Sequence, residues 1–312
     1  MSISDLLVSG TKSGMKSVFF GGKGGVGKTS CAASAAVWLA EHGYTTLIVS
    51  TDPAGNKLSD VFEQNIGSKV KLLGVNNLYG IEIDAKKAAE EYRERILKPL
   101  REVQSGAFIK NLEKQLNSPC TEEIAAFDKF IDYVEARECD VVIFDTAPTS
   151  LTLRLLELPS AWSSYIAKAS DVGGMTCIGP LEVLASYRER YKKAMHMLAD
   201  TEKTSFIMVL TPEATPISET ERAMKELKGL GIKVAGLIVN MVVTKKACEG
   251  IPFFLKRYEM QQRYLNYVYN RFNGINIAKA PLLETEVKGL KALSRFAKIL
   301  YEQNKLIEGE SV

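Results

Sequence analysis

Gly21-Gly22-Lys23-Gly24-Gly25-Val26-Gly27-Lys28-Thr29 follows the apolar run Val18-Phe19-Phe20 and precedes a helix-like segment at 30–41. Glycines at a turn let successive backbone N–H groups converge on one anion, and the positive end of the following helix dipole adds to their field. The stretch therefore reads as a phosphate cradle. Gly22, Gly27, Lys28 and Thr29 stand at the spacing in which the lysine reaches β- and γ-phosphates and the hydroxyl binds Mg²⁺. Gly24, Gly25, Val26 and Ser30 supply the rest of the lining.

Around this cradle the chain alternates strands with helices. Strand-like runs occur at 16–20, 45–50, 78–83, 141–144, 205–210, 234–240 and 276–280. Continuous apolar strands separated by helical patterns predict an α/β fold: a doubly wound, mostly parallel sheet with a P-loop nucleotide site beyond its carboxyl ends. The segments 85–138 and 151–200 are too long for single crossovers and read as mostly helical. Tyr92, Ile96 and Leu100 recur every fourth residue, as do Ile124, Asp128 and Asp132, so these helices carry distinct faces. The expectation is a single domain over 1–312 with an inserted helical subdomain covering the nucleotide face. The segment 290–306 has the pattern of a core-packing helix.

Composition narrows the setting. The 312 residues carry 40 basic and 37 acidic side chains, a net charge of +3 with no basic stripe, which gives no case for a nucleic-acid partner. No apolar run approaches the roughly 18 residues that span a bilayer, and no signal-peptide core precedes the cradle. Five cysteines, odd in number and widely spaced, fit free thiols in a reducing cytoplasm better than a disulfide framework.

Two aspartates follow strands. Asp52 opens Asp52-Pro53-Ala54-Gly55-Asn56 after Leu47-Ile48-Val49, where a carboxylate can face the γ-phosphate and orient a water; the alternative is an Asx turn before proline. Asp145 closes Val141-Val142-Ile143-Phe144, the pattern of an acidic residue held by a buried strand near Mg²⁺. Lys23 is not required by the ordinary P-loop, and spacing alone leaves it either a solvated or a functional lysine.

Lys23-Gly24-Gly25-Val26-Gly27-Lys28-Thr29 resembles the deviant Walker A motif of dimeric ATPases that include septum-positioning and DNA-partitioning proteins and the nitrogenase iron protein. In that class the first lysine reaches the partner's nucleotide, so the resemblance implies a homodimer with two ATP molecules and a catalytic role for Lys23, Lys28 and Asp52. Ser50-Thr51-Asp52-Pro53-Ala54, Asp145-Thr146-Ala147-Pro148-Thr149, Leu153-Arg154-Leu155-Leu156 and Thr220-Glu221-Arg222 resemble the group containing the arsenical pump-driving ATPase and the tail-anchored-protein targeting ATPase. By that likeness Thr29 and Asp145 serve Mg²⁺, and Asn240 meets adenine with Glu213 and the Pro281-Leu282 loop nearby. A turn-capping role is the other reading of Asn240.

Cys120 and Cys177 lie in segments that resemble the metalloid-binding stretches of the arsenical ATPase. Trivalent arsenic and antimony are thiophilic, which suits free cysteines, although an unpaired cysteine also serves as a small buried hydrophobe. Cys31, Cys139 and Cys248 match no such segment. Ser150-Leu151 stands where the group usually has Gly-His, and Ile251-Pro252-Phe253-Phe254 stands where targeting ATPases carry a zinc-binding cysteine pair. The resemblance implies arsenite or antimonite as effector, a membrane efflux pump as partner, and peripheral contact with the membrane. The alternative is a chaperone for tail-anchored clients and their membrane receptor, to which Met175, Met195 and Met197 would contribute an adaptable surface. A septum- or partition-type positioning ATPase ranks last.

Overall fold

The structure, a computed structural model, describes residues 2–50, 57–67, 70–72, 74–102, 104–135, 138–146, 175–176, 179–180, 190 and 192–302. Its strands are β1 (Lys16–Gly21), β2 (Thr46–Ser50), β3 (Val70–Lys71), β4 (Leu78–Glu82), β5 (Val141–Asp145), β6 (Met175–Thr176), β7 (Gly179–Pro180), β8 (Thr204–Leu210), β9 (Val234–Val242) and β10 (Asn276–Pro281). Eight of them form one sheet in the order β10-β9-β8-β1-β5-β2-β4-β3, while β6 and β7 make a separate two-residue hairpin. Seven sheet strands correspond to the seven expected from the sequence. The edge strand β3 was not anticipated, and it runs antiparallel to β4. All other pairings in the sheet are parallel.

Alternation along β1 explains why it sits in the middle. Val18 and Phe20 turn into one apolar cluster and Phe19 into another on the opposite face. Phe19 stacks between Phe144 of β5 and Phe206 of β8 at centroid separations of 4.6 and 4.5 Å, a consequence of the register Phe19↔Phe144 and Phe19↔Phe206. The order of strands reverses about β1, because β2 lies beyond β5 on one side while β8 and β9 follow on the other. Ligand sites of open parallel sheets form at such a reversal, beyond the carboxyl ends of the strands.

The described helices are α1 (Ile3–Val8), α2 (Lys28–Glu41), α3 (Lys57–Phe62), α4 (Ala85–Arg101), α5 (Gly106–Leu116), α6 (Pro119–Glu135), α7 (Ala214–Gly229), α8 (Pro252–Arg271) and α9 (Gly289–Tyr301), with a further helical stretch at 192–199. Helix α2 is buried nearly all round because Ala32, Ala33, Ala35 and Ala36 let it nest closely against the sheet and α9. Helix α9 buries Leu293, Phe296, Ala297 and Leu300, the packing anticipated for the C-terminal segment, and its Tyr301 hydroxyl donates to the Cys31 carbonyl at 2.9 Å.

Helices α4, α5 and α6 pack on one another around Tyr92, Ile96, Leu112 and Ile124, a cluster distinct from the two that flank the sheet. Halfway along α6 the allegiance changes. Ile124 and Ala125 belong to the helical cluster, whereas Phe130 and Ile131 belong to the sheet's, with Phe130 tilted against Phe144 at 4.7 Å.

Candidate nucleotide site

Strand β1 ends at Gly21, and the chain turns through the cradle into α2, which starts at Lys28 with Gly27 as its N-cap. Gly27 has φ +90°, and a Cβ there would lie 2.3 Å from Asn240 Nδ2. A Cβ on Gly22 would lie 2.2 Å from the Val209 carbonyl oxygen of β8. These approaches hold the loop close to the sheet, while Gly24 and Gly25 face open space. A loop anchored below and open above is the shape a phosphate chain fills.

Several expected residues meet here. Lys28 is buried in the first turn of α2, and its Nζ donates to the Lys23 carbonyl oxygen at 3.1 Å. Thr29 and Ser30 follow, half-buried. Asp145 closes β5 in register with Phe20 of β1, and Thr146 beyond it donates from Oγ1 to the Phe20 carbonyl oxygen at 2.8 Å. A hydroxyl and a carboxylate beside the cradle are oxygen donors of the type that a hard cation such as Mg²⁺ prefers. Burial, with the Asp145 carboxylate behind it, pushes the Cys31 thiol far above its ordinary pKa, so this cysteine stays protonated and is a poor ligand for a soft metalloid.

Asn240 lies on β9, which continues two residues beyond it, and its Nδ2 donates to the Val26 carbonyl oxygen at 2.9 Å. It braces the cradle from below. It also borders a cavity of about 460 Å³ lined by Gly27, Ser30, Asn240, Pro281 and Leu282, which brings those five sequence candidates together on one side of the cradle. On the other side a cavity of about 640 Å³ collects Lys23, Gly24, Gly25, Val26 and Glu213 with Phe253, Phe254, Arg257 and Gln261. Leu282 borders both. Glu213 accepts from Arg257 at 2.6 Å, and Lys23 Nζ stands 3.2 Å from Glu219 of α7. Gln261 ties the end of β9 by accepting from the Val243 amide and donating to the Met241 carbonyl oxygen.

Asp52 and Cys177 lie outside the described residues, as do Ser150-Leu151; Cys120 begins α6, but its side chain is likewise outside them. Cys31 is buried, and Cys139 and Cys248 are partly so. Arg257, Gln261 and Glu219 were not singled out from the sequence. Nothing in their local pattern marks them, because α7 and α8 bring them to the cradle only through tertiary packing.

Residues 15–302 match the anion-transporting ATPase family, the full span from β1 to α9. The chain belongs to that family. Among individual relatives, it is 45% identical over 286 residues to a putative arsenical pump-driving ATPase of Halobacterium salinarum, covering 91% of this chain and 44% of that protein. It is 38% identical to an arsenical pump-driving ATPase of Escherichia coli, covering 89% of this chain and 48% of that protein. It is 32% identical to ATPase GET3 of Chaetomium globosum, covering 91% and 89%. The chain thus spans less than half the length of these two arsenical relatives and nearly all of the third. Among the described residues no helix is long and apolar enough to cross a membrane.

Proposed function

We propose that this anion-transporting ATPase family member hydrolyses ATP with Mg²⁺ as a homodimer and couples that hydrolysis to arsenite or antimonite efflux through a membrane pump partner. The observation that carries the reading is the cradle, anchored to β8 and β9 through Gly22 and Gly27 and open over Gly24 and Gly25, with Lys28 at its base. In this reading Lys28 holds the transferring phosphate, Thr29 and Asp145 hold Mg²⁺, and Asp52 orients the attacking water. Phosphoryl transfer asks little covalent chemistry of a protein beyond such positioning and charge. Gly22, Gly24, Gly25, Val26, Gly27 and Ser30 line the phosphates, and Asn240, Pro281 and Leu282 border the base from the cavity on the α9 side. Lys23 acts on the nucleotide of the facing protomer.

Helices α4 to α6 would be the cover whose position follows the nucleotide, with Cys120 at the head of α6 and Cys177 as thiolate ligands for the metalloid. The enzyme would work in the cytoplasm and meet the membrane only through its partner. The names of the Halobacterium and Escherichia relatives support the arsenical role.

A second reading, targeting of tail-anchored membrane proteins, is favoured by the near end-to-end match to ATPase GET3. Such a role calls for an apolar client surface on the cover. Among the described residues, however, the exposed large apolar side chains are Ile251, Phe253, Leu255, Tyr267, Tyr269 and Leu282, on or beside α8 rather than on α4 to α6.

ATP turnover with and without arsenite, in the parent and in Cys120→Ser, separates the readings. The arsenical role expects severalfold stimulation that Cys120→Ser loses. An unchanged rate in both proteins removes the metalloid role, and absence of any turnover removes the ATPase reading itself.

A further inference from the structure

Lys23 leaves the cradle toward α7. Its ammonium lies 3.2 Å from Glu219 Oε1 in the second turn of that helix, with the two side chains 36% and 30% exposed. The other acidic groups nearby on this element are engaged elsewhere: Glu213 with Arg257, and Glu221 with Arg271 and Tyr267. Of the three carboxylates, Glu219 is the one that pairs with a cradle side chain.

The geometry points to Glu219 as a positioning residue that holds Lys23 within its own protomer until a nucleoside triphosphate on the facing protomer draws the lysine away. This inference rests on the cross-protomer role given to Lys23 above. A partly exposed ion pair is weak enough to break on each cycle. A triphosphate presents several charged oxygens where the arriving ammonium would sit, and these outcompete a single carboxylate; a diphosphate lacks the terminal group and competes poorly. Glu219 therefore biases the chain against pairing, and a triphosphate on the facing protomer outweighs the bias where a diphosphate does not. The pair is about one-third in solvent, so its effect weakens as salt rises.

Sedimentation equilibrium of the full chain tests this, comparing the parent with Glu219→Gln in ADP and in a non-hydrolysable ATP analogue. Two pairs open for each dimer formed, so Glu219→Gln is expected to tighten association in ADP by about 4- to 25-fold, from roughly two- to fivefold per pair. A gain of similar size is expected with the analogue, because the same two pairs open, and with either nucleotide the gain narrows at high salt. In a Lys23→Ala background the same substitution is expected to have no effect on association. An equal shift in that background, or no shift from Glu219→Gln in the parent, overturns the role of Glu219. ATP turnover of Lys23→Ala at the parent's rate, or a parent that stays monomeric with every nucleotide, overturns instead the reading on which it rests.

Discussion

Across three neighbouring strands of the sheet, Phe144, Phe19 and Phe206 stack at about van der Waals spacing, whereas in the helical cover Asp128 is fully buried between the guanidinium groups of Arg95 and Arg190, each at 2.7 Å. The sheet is set by interdigitated apolar side chains on both faces, which admit one arrangement. The cover has a small core of its own around Tyr92 and Leu112 and is fastened by charge, with Arg190 also bound to Asp132 and Glu135 and Lys129 to Glu91. Burial pushes the Asp128 carboxyl up while its two arginines pull it down, so this seam sets desolvation against pairing. A nucleotide site wants the first kind of construction, because its donors must be in place before the charge develops. Ion pairs, by contrast, exchange partners more readily than packed cores.

Helix α6 joins the two constructions, and the largest expected effect lies there. Phe130→Ala removes a ring that packs on Phe19 and Phe144 from the sheet side of α6 and is expected to cost about 3–5 kcal/mol in chemical denaturation. A loss below about 1 kcal/mol would mean that the cover is tied to the sheet by something other than α6.

At the cradle, Gly27→Ala asks a residue with φ +90° to carry a Cβ 2.3 Å from Asn240 Nδ2. The expected cost is about 1–3 kcal/mol of stability, with loss of the Asn240 bond to Val26 and a weaker grip on nucleotide. Gly24→Ala, whose Cβ meets open space, is expected to stay within about 0.5 kcal/mol in the same denaturation experiment. Equal costs for the two would show that the cradle is not braced from below.

The same contrast decided what could be read from the chain. Strands buried on both faces leave uninterrupted apolar runs, so β1, β2, β4, β5, β8, β9 and β10 were legible within a residue or two at most ends. Strand β3 spans two residues, too few to leave any periodicity, and it was missed. In the cover the four-residue recurrences of Tyr92, Ile96 and Leu100 and of Ile124, Asp128 and Asp132 marked distinct helix faces, but not that Asp128 is buried between arginines from two other segments. The cradle announced itself through glycine and lysine spacing. Asn240 was read as meeting adenine, and in this structure its amide supports Val26, a contact that joins residues more than two hundred positions apart. Glu219 and Arg257 had no local signature at all, because charged residues on the polar side of a surface helix are ordinary.

The smallest expected effect tests whether the cover's seams are electrostatic. Lys129 donates to Glu91 across α6 and α4 at 2.6 Å, and this bond holds the Glu91 carboxyl below its ordinary value of 4.5 and the Lys129 ammonium above its ordinary 10.5. A depressed carboxyl stabilises the fold above its unfolded pKa and loses that contribution as pH falls through the lower, folded value; a raised ammonium contributes below 10.5 and loses it as pH climbs further. The pair therefore contributes fully between 4.5 and 10.5 and fades outside that window. Both side chains are substantially exposed, so Glu91→Gln is expected to lower stability near pH 7 by well under about 1 kcal/mol. The difference between parent and Glu91→Gln should shrink as pH falls below 4.5 and the parent carboxyl takes up its proton. Denaturation curves at pH 7 and in acid measure it, and a difference that persists undiminished in acid would assign the contribution of Glu91 to packing of its stem on α6 rather than to its charge.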